Sequence, residues 1–152
     1  MKIRPYRPAD CGALMQLFYH TVHAVCTRDY TPAQLDAWAP KDMDRAHWDA
    51  KFRDGTTLVA AGDDGSILGF GTVREDGYLN LLYVHQDHQG KSVGNILCDF
   101  LEGLYPAERM SVHASETAKP FFEARGYRLV RKQQAERRGQ SLTNYLMEKE
   151  LI

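Results

Sequence analysis

Nowhere in the 152 residues is there an apolar run approaching the roughly 20 residues of a membrane-spanning helix. Nor is there a surplus of either charge. Nineteen Lys and Arg stand against twenty Asp and Glu, a formal net charge of −1. A dedicated nucleic-acid binder needs a basic excess for its phosphate contacts, so neither nucleic acid nor a membrane is an expected partner. Cysteine is scarce: Cys11, Cys26 and Cys98, an odd number without C-x-x-C spacing. That is a poor disulfide framework and a poor zinc site, and each thiol reads as core packing. Neither an internal repeat nor a low-complexity linker interrupts the chain, so a solenoid is excluded and one domain over 1–152 is expected. The N-terminal MKIRPYRPAD carries no apolar stretch of secretory type, which points to the cytoplasm.

What is present is the balance of a folded chain, 43% hydrophobic and 26% charged. Residues 2–6 read as a short strand with Pro5 at its edge. From about Ala9 to Val25, Leu14, Leu17, Phe18, Val22 and Val25 recur at helical spacing. Thr31-Pro32 is an N-cap followed by proline at the first helical position, predicting a helix to Trp38. A short helix around Asp44–Phe52 is anchored by Trp48. The period then shortens: Thr57–Ala61, Ser66–Arg74 and Tyr78–His85 are strands separated by the turns Gly62–Gly65 and Glu75–Gly77. Tyr78–His85 (YLNLLYVH) is apolar enough to be a strand buried on both faces. Val93–Leu104 is the clearest helix, with Val93, Ile96, Leu97, Phe100, Leu101 and Leu104 on one stripe. A strand at Arg109–His113, a helix at Glu116–Arg125 with Pro120 near its first turn, and strands at Tyr127–Gln134 and Ser141–Leu151 complete the chain. AERRGQ is the loop of the last hairpin. Mixed strands and helices in this order predict an α/β (α+β) fold of three layers around a mixed sheet.

The most informative stretch is LLYVHQDHQGKSVGNILCDFLEGL. A strand runs into a loop of small residues and then directly into a helix. Small residues let backbone approach a ligand, and the helix start offers unpaired N–H groups at the positive end of its dipole. Together they form an anion site suited to phosphate or pyrophosphate. Gly90-Lys91-Ser92 imitates the end of a nucleotide P-loop, but the glycine that motif needs at position 85 is His85.

Tyr83-Val84 at a strand end, followed by Gln89-x-x-x-x-Gly94 before an amphipathic helix, resembles the acyl-CoA motif Q/R-x-x-G-x-G/A of the GCN5-related N-acetyltransferases. Ser92 stands where that pattern has its first glycine. Ala118–Tyr127 is similar to the family's A-x-x-F-Y-E-K-x-G-F segment, Tyr145–Leu151 to its last strand, and the element order agrees along the whole chain. Tyr30 to Pro40, with Asp29 before it, resembles a subgroup of small bacterial acetyltransferases of unassigned substrate. The resemblance implies a mostly antiparallel sheet with a splayed central strand pair and helices on both faces. It also implies acetyl-CoA as cosubstrate, no metal, an amine acceptor on a small molecule or peptide, and a chain that can pair as a homodimer. The pantetheine arm would pair with backbone of Leu82, Tyr83 and Val84. The pyrophosphate would lie on the N–H groups of Gln89, Gly90, Lys91, Ser92, Val93, Gly94 and Asn95. Ser115 and Phe122 would also touch the cofactor. A bulge is expected near Leu81–Tyr83.

Acetyl transfer to nitrogen needs a neutral amine, an N–H donor for the developing oxyanion, and a thiolate that can leave. The family's acid is a tyrosine at the position of Phe122, which has no hydroxyl. Ser115, Tyr83 and Tyr105 are the other hydroxyls considered for that role, and a binding module without catalysis is the alternative that Phe122 favours. For the base, the family's glutamate position falls on Tyr78, with Glu75 and Asp76 on the turn just before it. Tyr30, Trp38, His20 and Asp29 are the candidates for the acceptor pocket. His20 and His23, like His85 and His88, have no evident third partner for a metal.

Overall fold

The computed structural model describes residues 1–151. Seven strands order as β1-β2-β3-β4-β5-β7-β6. They are β1 (Lys2–Pro5), β2 (Thr56–Ala61), β3 (Ile67–Val73), β4 (Tyr78–Val84), β5 (Arg109–Ser115), β6 (Arg128–Arg137) and β7 (Gln140–Glu150). All neighbours are antiparallel except β4 and β5. The helices are α1 (Cys11–Val25), α2 (Pro32–Trp38), α3 (Arg45–Arg53), α4 (Val93–Leu101) and α5 (Lys119–Ala124). The expected mixed, mostly antiparallel sheet with helices on both faces is therefore what forms.

Two cores lie on opposite faces of that sheet. Leu14, Phe18 and Val22 of α1, with Trp48 and Phe52 of α3, pack on Val59, Phe70 and Leu81. Leu97 and Leu101 of α4, with Phe122 of α5, pack on Leu58, Leu79, Val112 and Met147. Alternate residues of β2 thus serve different cores, as a pleated strand requires. The strands buried on both faces are β2 and β3 rather than β4. The second half of β4 lines a cavity, which is why an apolar strand there is only partly covered. Gly69 and Gly71 of β3 let neighbours close in: a Cβ at Gly71 would stand 2.6 Å from Leu101 Cδ1, and one at Gly69 2.9 Å from the Tyr83 carbonyl.

Local signals explain most element ends. Thr31 caps α2 and Gln34 returns the bond, a reciprocal pair at the helix start. Asp44 caps α3 through the Ala46 N–H. Ser115 Oγ accepts from the Ala118 N–H at the entrance to α5, and Pro120 sits in its first turn. Helix α4 ends at Leu101, three residues sooner than its apolar stripe suggests. Phe100 and Leu104 of that stripe face solvent, at 53% and 39% exposure. The last hairpin is tighter than AERRGQ implies. Its strands continue to Arg137 and resume at Gln140, leaving Arg138 and Gly139 as a two-residue turn with φ of 46° and 81°. Both residues are left-handed, the conformation that matches strand twist in a two-residue hairpin.

That hairpin is fastened to the α1–α2 region by polar contacts, buried at Tyr30 and exposed at Gln34 and Arg138. The Tyr30 hydroxyl donates to the Thr143 carbonyl (2.7 Å) and accepts from the Glu116 N–H (2.8 Å). Burial, the dominant effect, raises its pKa to about 12, so it stays protonated and able to do both. Gln34 Nε2 donates to the Ser141 carbonyl, and Arg138 faces Asp42 at 3.8 Å. At the other edge Arg4 grips Asp10 with two bonds of 2.8 and 2.9 Å, and the Arg7 N–H adds a third at 2.9 Å. These bonds, the Arg4 guanidinium foremost, hold the Asp10 carboxyl below its ordinary value.

Two stability measurements check this. Tyr30→Phe strands a partly buried carbonyl and a partly buried N–H and should cost about 1–3 kcal/mol in urea unfolding. Asp10→Asn should cost a similar amount at pH 7. A lowered folded pKa means stabilisation present above about pH 4 and lost as pH falls through the folded value. The difference between Asp10→Asn and the parent should therefore shrink as the pH falls below about 4.

Candidate active site

The site begins where β4 and β5 part. Only Tyr78 with Ser111 and Leu79 with Val112 are in register. Beyond Leu79 the two strands share no pairing. The β3–β4 ladder shifts register between Thr72 and Val73, which face Leu81 and Leu79, so Asn80 is the extra residue of a bulge. The bulge falls one residue before the expected Leu81–Tyr83. Its effect on side chains is plain: Leu79 and Leu82, three apart, enter the same core, while Leu81 and Tyr83 turn to the other.

The His85 N–H donates to the Leu68 carbonyl and fixes the phase of the β3–β4 ladder. In an antiparallel pair the alternate residues direct their N–H and C=O groups away from the partner. Those of Leu82 and Val84 accordingly face the gap left by β5. The Val84 carbonyl is already occupied, by Thr21 Oγ1 at 3.0 Å and Gln89 Nε2 at 2.7 Å. Gln89 thereby ties the loop back to the strand. The Val84 N–H remains directed into the gap.

A cavity of about 350 Å³ occupies the opening. Leu82, Tyr83, Val84, Gln89, Gly94, Ser115 and Phe122 line it, as do Tyr30, Trp38 and Tyr78. Gly90, Lys91, Ser92 and Asn95 are exposed beside it, and Val93, the first residue of α4, is buried in the core. The Asn95 side chain accepts from Arg125. Ser92 caps α4 in the left-handed conformation (φ 68°), following Gly90 at φ 73°. The place held by glycine in the related motif therefore has the backbone geometry of a glycine, carried here by a serine. Gly94 is needed for packing: a Cβ there would meet the Phe121 ring at 3.2 Å.

Several sequence candidates lie elsewhere. Glu75 and Asp76 are exposed on the β3–β4 turn, outside the cavity lining. His20 is exposed and borders a separate hollow with His85 and Gln86. Asp29 is exposed and accepts from Thr117 Oγ1 at 2.8 Å. The Tyr105 hydroxyl is bonded to Thr56 Oγ1, away from the cavity. Trp48, expected from sequence as a core anchor, also lines the cavity, as do Lys51, His113, Arg137 and Asn144, which the sequence does not single out. Nothing local marks them: they come from α3, β5, β6 and β7 and meet only through the fold. Burial raises the pKa of Tyr78 and Tyr83 and lowers that of His113, with Arg131 and Arg137 adding to the latter. Phe122, 3% exposed, packs edge-on to Tyr127 at 5.1 Å and brings no hydroxyl.

A sheet parted at a bulge, an inward backbone N–H and a helix start beside the opening together form the candidate site. The acetyltransferase (GNAT) domain family matches residues 26–151. The chain belongs to the GNAT acetyltransferase family and is an N-acetyltransferase. It is 33% identical over 148 residues to the Escherichia coli protein described as uncharacterized N-acetyltransferase YafP, covering 97% of this chain and 94% of the relative. It superposes on a GCN5-related N-acetyltransferase ("Aminotransferase, Class-II") from Rhodopseudomonas palustris with a TM-score of 0.95. That pair shares 33% identity, with 99% and 95% of the two chains covered. YncA of Salmonella typhimurium, solved with its cofactor acetyl-CoA, shares the fold at a TM-score of 0.72 and 20% identity, covering 100% and 94%. No helix among the described residues is long and apolar enough to cross a membrane.

Ser92 separates strain from charge. Ser92→Gly should raise stability by about 0.5–1 kcal/mol, because glycine holds a positive φ without the Cβ penalty. Ser92→Asp also tolerates that backbone and favours a helix N-terminus, so its melting temperature should not fall. Its carboxylate would stand where the anion is expected, and CoA affinity measured by calorimetry should drop at least tenfold.

Proposed function

We propose that this enzyme binds acetyl-CoA in the gap between β4 and β5 and passes the acetyl group directly to a primary amine of a small molecule or peptide. The observation that carries the reading is the unpaired edge of β4 beyond Leu79. The arm of the cosubstrate runs from the Gln89 loop along Val84 toward Leu82 as an added strand would, taking the free Val84 N–H. The exposed loop from Gln89 to Ser92 and the N–H groups opening α4 offer the pyrophosphate an electropositive cradle. Acetyl-CoA supplies an activated thioester; the chain holds it and the acceptor in contact.

The Leu82 N–H, farther along β4 from the pyrophosphate cradle than Val84, donates to the acetyl oxygen as negative charge develops there. The attacking nitrogen must first lose a proton. No carboxylate lines the cavity among the described residues. We assign the proton to His113, directly or through a water. Burial and two nearby arginines lower its pKa, so it is neutral, and able to accept, at neutral pH. Tyr78, ring to ring with His113 at 5.3 Å, positions it. Phe122 excludes water from the thioester and gives no proton. A thiol of ordinary pKa about 8.5 is a tolerable leaving group without one.

Calorimetry with acetyl-CoA and a thiol-release screen over amines test this directly, and absence of acetyl-CoA binding overturns it. His113→Gln should lower the high-pH plateau of kcat/KM at least tenfold. An equal loss in Glu75→Gln alone would place the base on the turn instead. Phe122→Tyr should change kcat by no more than about tenfold, or ~1.4 kcal/mol. A gain above a hundredfold would favour a chain that holds acyl-CoA without turning it over efficiently.

A further inference from the structure

The half of the cavity away from α4 carries positive charge and no negative charge. Lys51 of α3 and Arg137 at the end of β6 both line it, and no Asp or Glu does among the described residues. Neither cation has a carboxylate oxygen within 4 Å among the described residues, whereas Arg74 close by is paired with Asp54 at 3.0 Å. The Lys51 ammonium sits 4.7 Å from the centre of the Trp48 ring, so its stem is held against α3 rather than free in solvent. Burial, reinforced by Arg137 and Arg74, pushes its pKa down, the mark of a cation kept near other cations without a counter-charge. His113 and the Asn144 amide complete this end, and Asn144 Oδ1 is buried without a partner.

Such a wall is unfavourable for the acceptors that a plain amine site would take. A polyamine or a lysine in a basic peptide would bring further positive charge against Lys51 and Arg137. An exposed cation pair is usually solvated and means little. Here one member is half-buried over an indole ring, and both border the cavity in which the acceptor must lie. The cavity, about 350 Å³, must also admit the acetyl end of the cosubstrate, which limits the acceptor to a small molecule.

Building on the acetyltransferase reading above, we propose that the natural acceptor is a small amine carrying its own carboxylate, an amino acid or close analogue. The carboxylate rests between Lys51 and Arg137 and the amine faces the acetyl group at Leu82. Lys51 and Arg137 are binding residues in this scheme and take no part in proton transfer. The transfer itself is ordinary. The amine nitrogen forms a bond to the acetyl carbon, the carbon–sulfur bond breaks, and the amine proton ends on His113 or water while CoA leaves as the thiolate.

The test has a binding arm and a turnover arm. With CoA present, the melting temperature is followed against N-acetyl-L-leucine and N-acetyl-L-phenylalanine, each beside its uncharged amide. The carboxylates should bind at least tenfold more tightly than the amides. Lys51→Met and Arg137→Gln should each bring that ratio close to one, and Lys51→Arg should keep most of it. Arg137 is exposed at a hairpin end, so Arg137→Gln will fold even if Lys51→Met does not. In turnover, L-leucine and L-phenylalanine should exceed isoamylamine, phenethylamine and spermidine at least tenfold in kcat/KM. Amides binding as tightly as carboxylates, or ratios unchanged in both variants, overturn the proposal. Spermidine or the decarboxylated amines as better substrates do the same while leaving the acetyltransferase reading intact. Failure to bind acetyl-CoA overturns both.

Discussion

The parting of β4 from β5 is the constraint on which the rest of this molecule hangs. Parallel neighbours begin to pair at Tyr78 and stop at Leu79. An inserted Asn80 on the opposite ladder then changes which way the remaining side chains point. A continuous sheet would have buried the backbone groups of Leu82 and Val84 in hydrogen bonds. The break leaves them facing a gap, and buried peptide groups left so are costly unless something else satisfies them. Thr21 and Gln89 take the Val84 carbonyl, leaving the N–H as the group held ready for a ligand.

Holding a sheet open requires support from both faces and both ends. On one face α4 fits closely because Gly69 and Gly71 remove the side chains that would fend it off. Arg125 then locks α4 to α5 through Glu102, Asp99 and Asn95. On the other face Phe18, Trp48, Phe70 and Tyr83 form a chain of ring contacts from α1 and α3 to β4. The last hairpin completes the wall. It is held by Tyr30, a single side chain that joins the α1–α2 connection, β7 and the turn between β5 and α5. These are polar staples between segments that lie 86 and 113 residues apart in sequence.

Charge is arranged as asymmetrically as the backbone. Carboxylates lie outside the opening, where Asp54 pairs with Arg74 and Glu102 with Arg125, while among the described residues the lining keeps Lys51, Arg137 and an imidazole as its charged or readily charged groups. A near-neutral chain of 19 basic and 20 acidic residues therefore presents a locally positive interior. The overall balance gives no hint of this, since net charge sums over positions that the fold separates.

The amino-acid order alone was enough for the element sequence, the caps at Thr31 and the proline starts, the strand–loop–helix around Gln89–Gly94 and the family to which it belongs. All of these depend on neighbours within a few residues, where spacing and backbone preference decide. The same local reading misjudged what depends on partners. It buried β4 on both faces, extended α4 along its apolar stripe to Leu104, and opened the last hairpin into a six-residue loop. It placed Glu75 and His20 beside the chemistry, whereas neither lines the cavity. Lys51, His113, Arg137 and Asn144 each look like ordinary surface residues in their own segments. They become one wall only because β5, β7 and β6 stack beside the gap while α3 closes over it. No pattern along the chain encodes that meeting, because it is made by contacts between residues far apart in sequence.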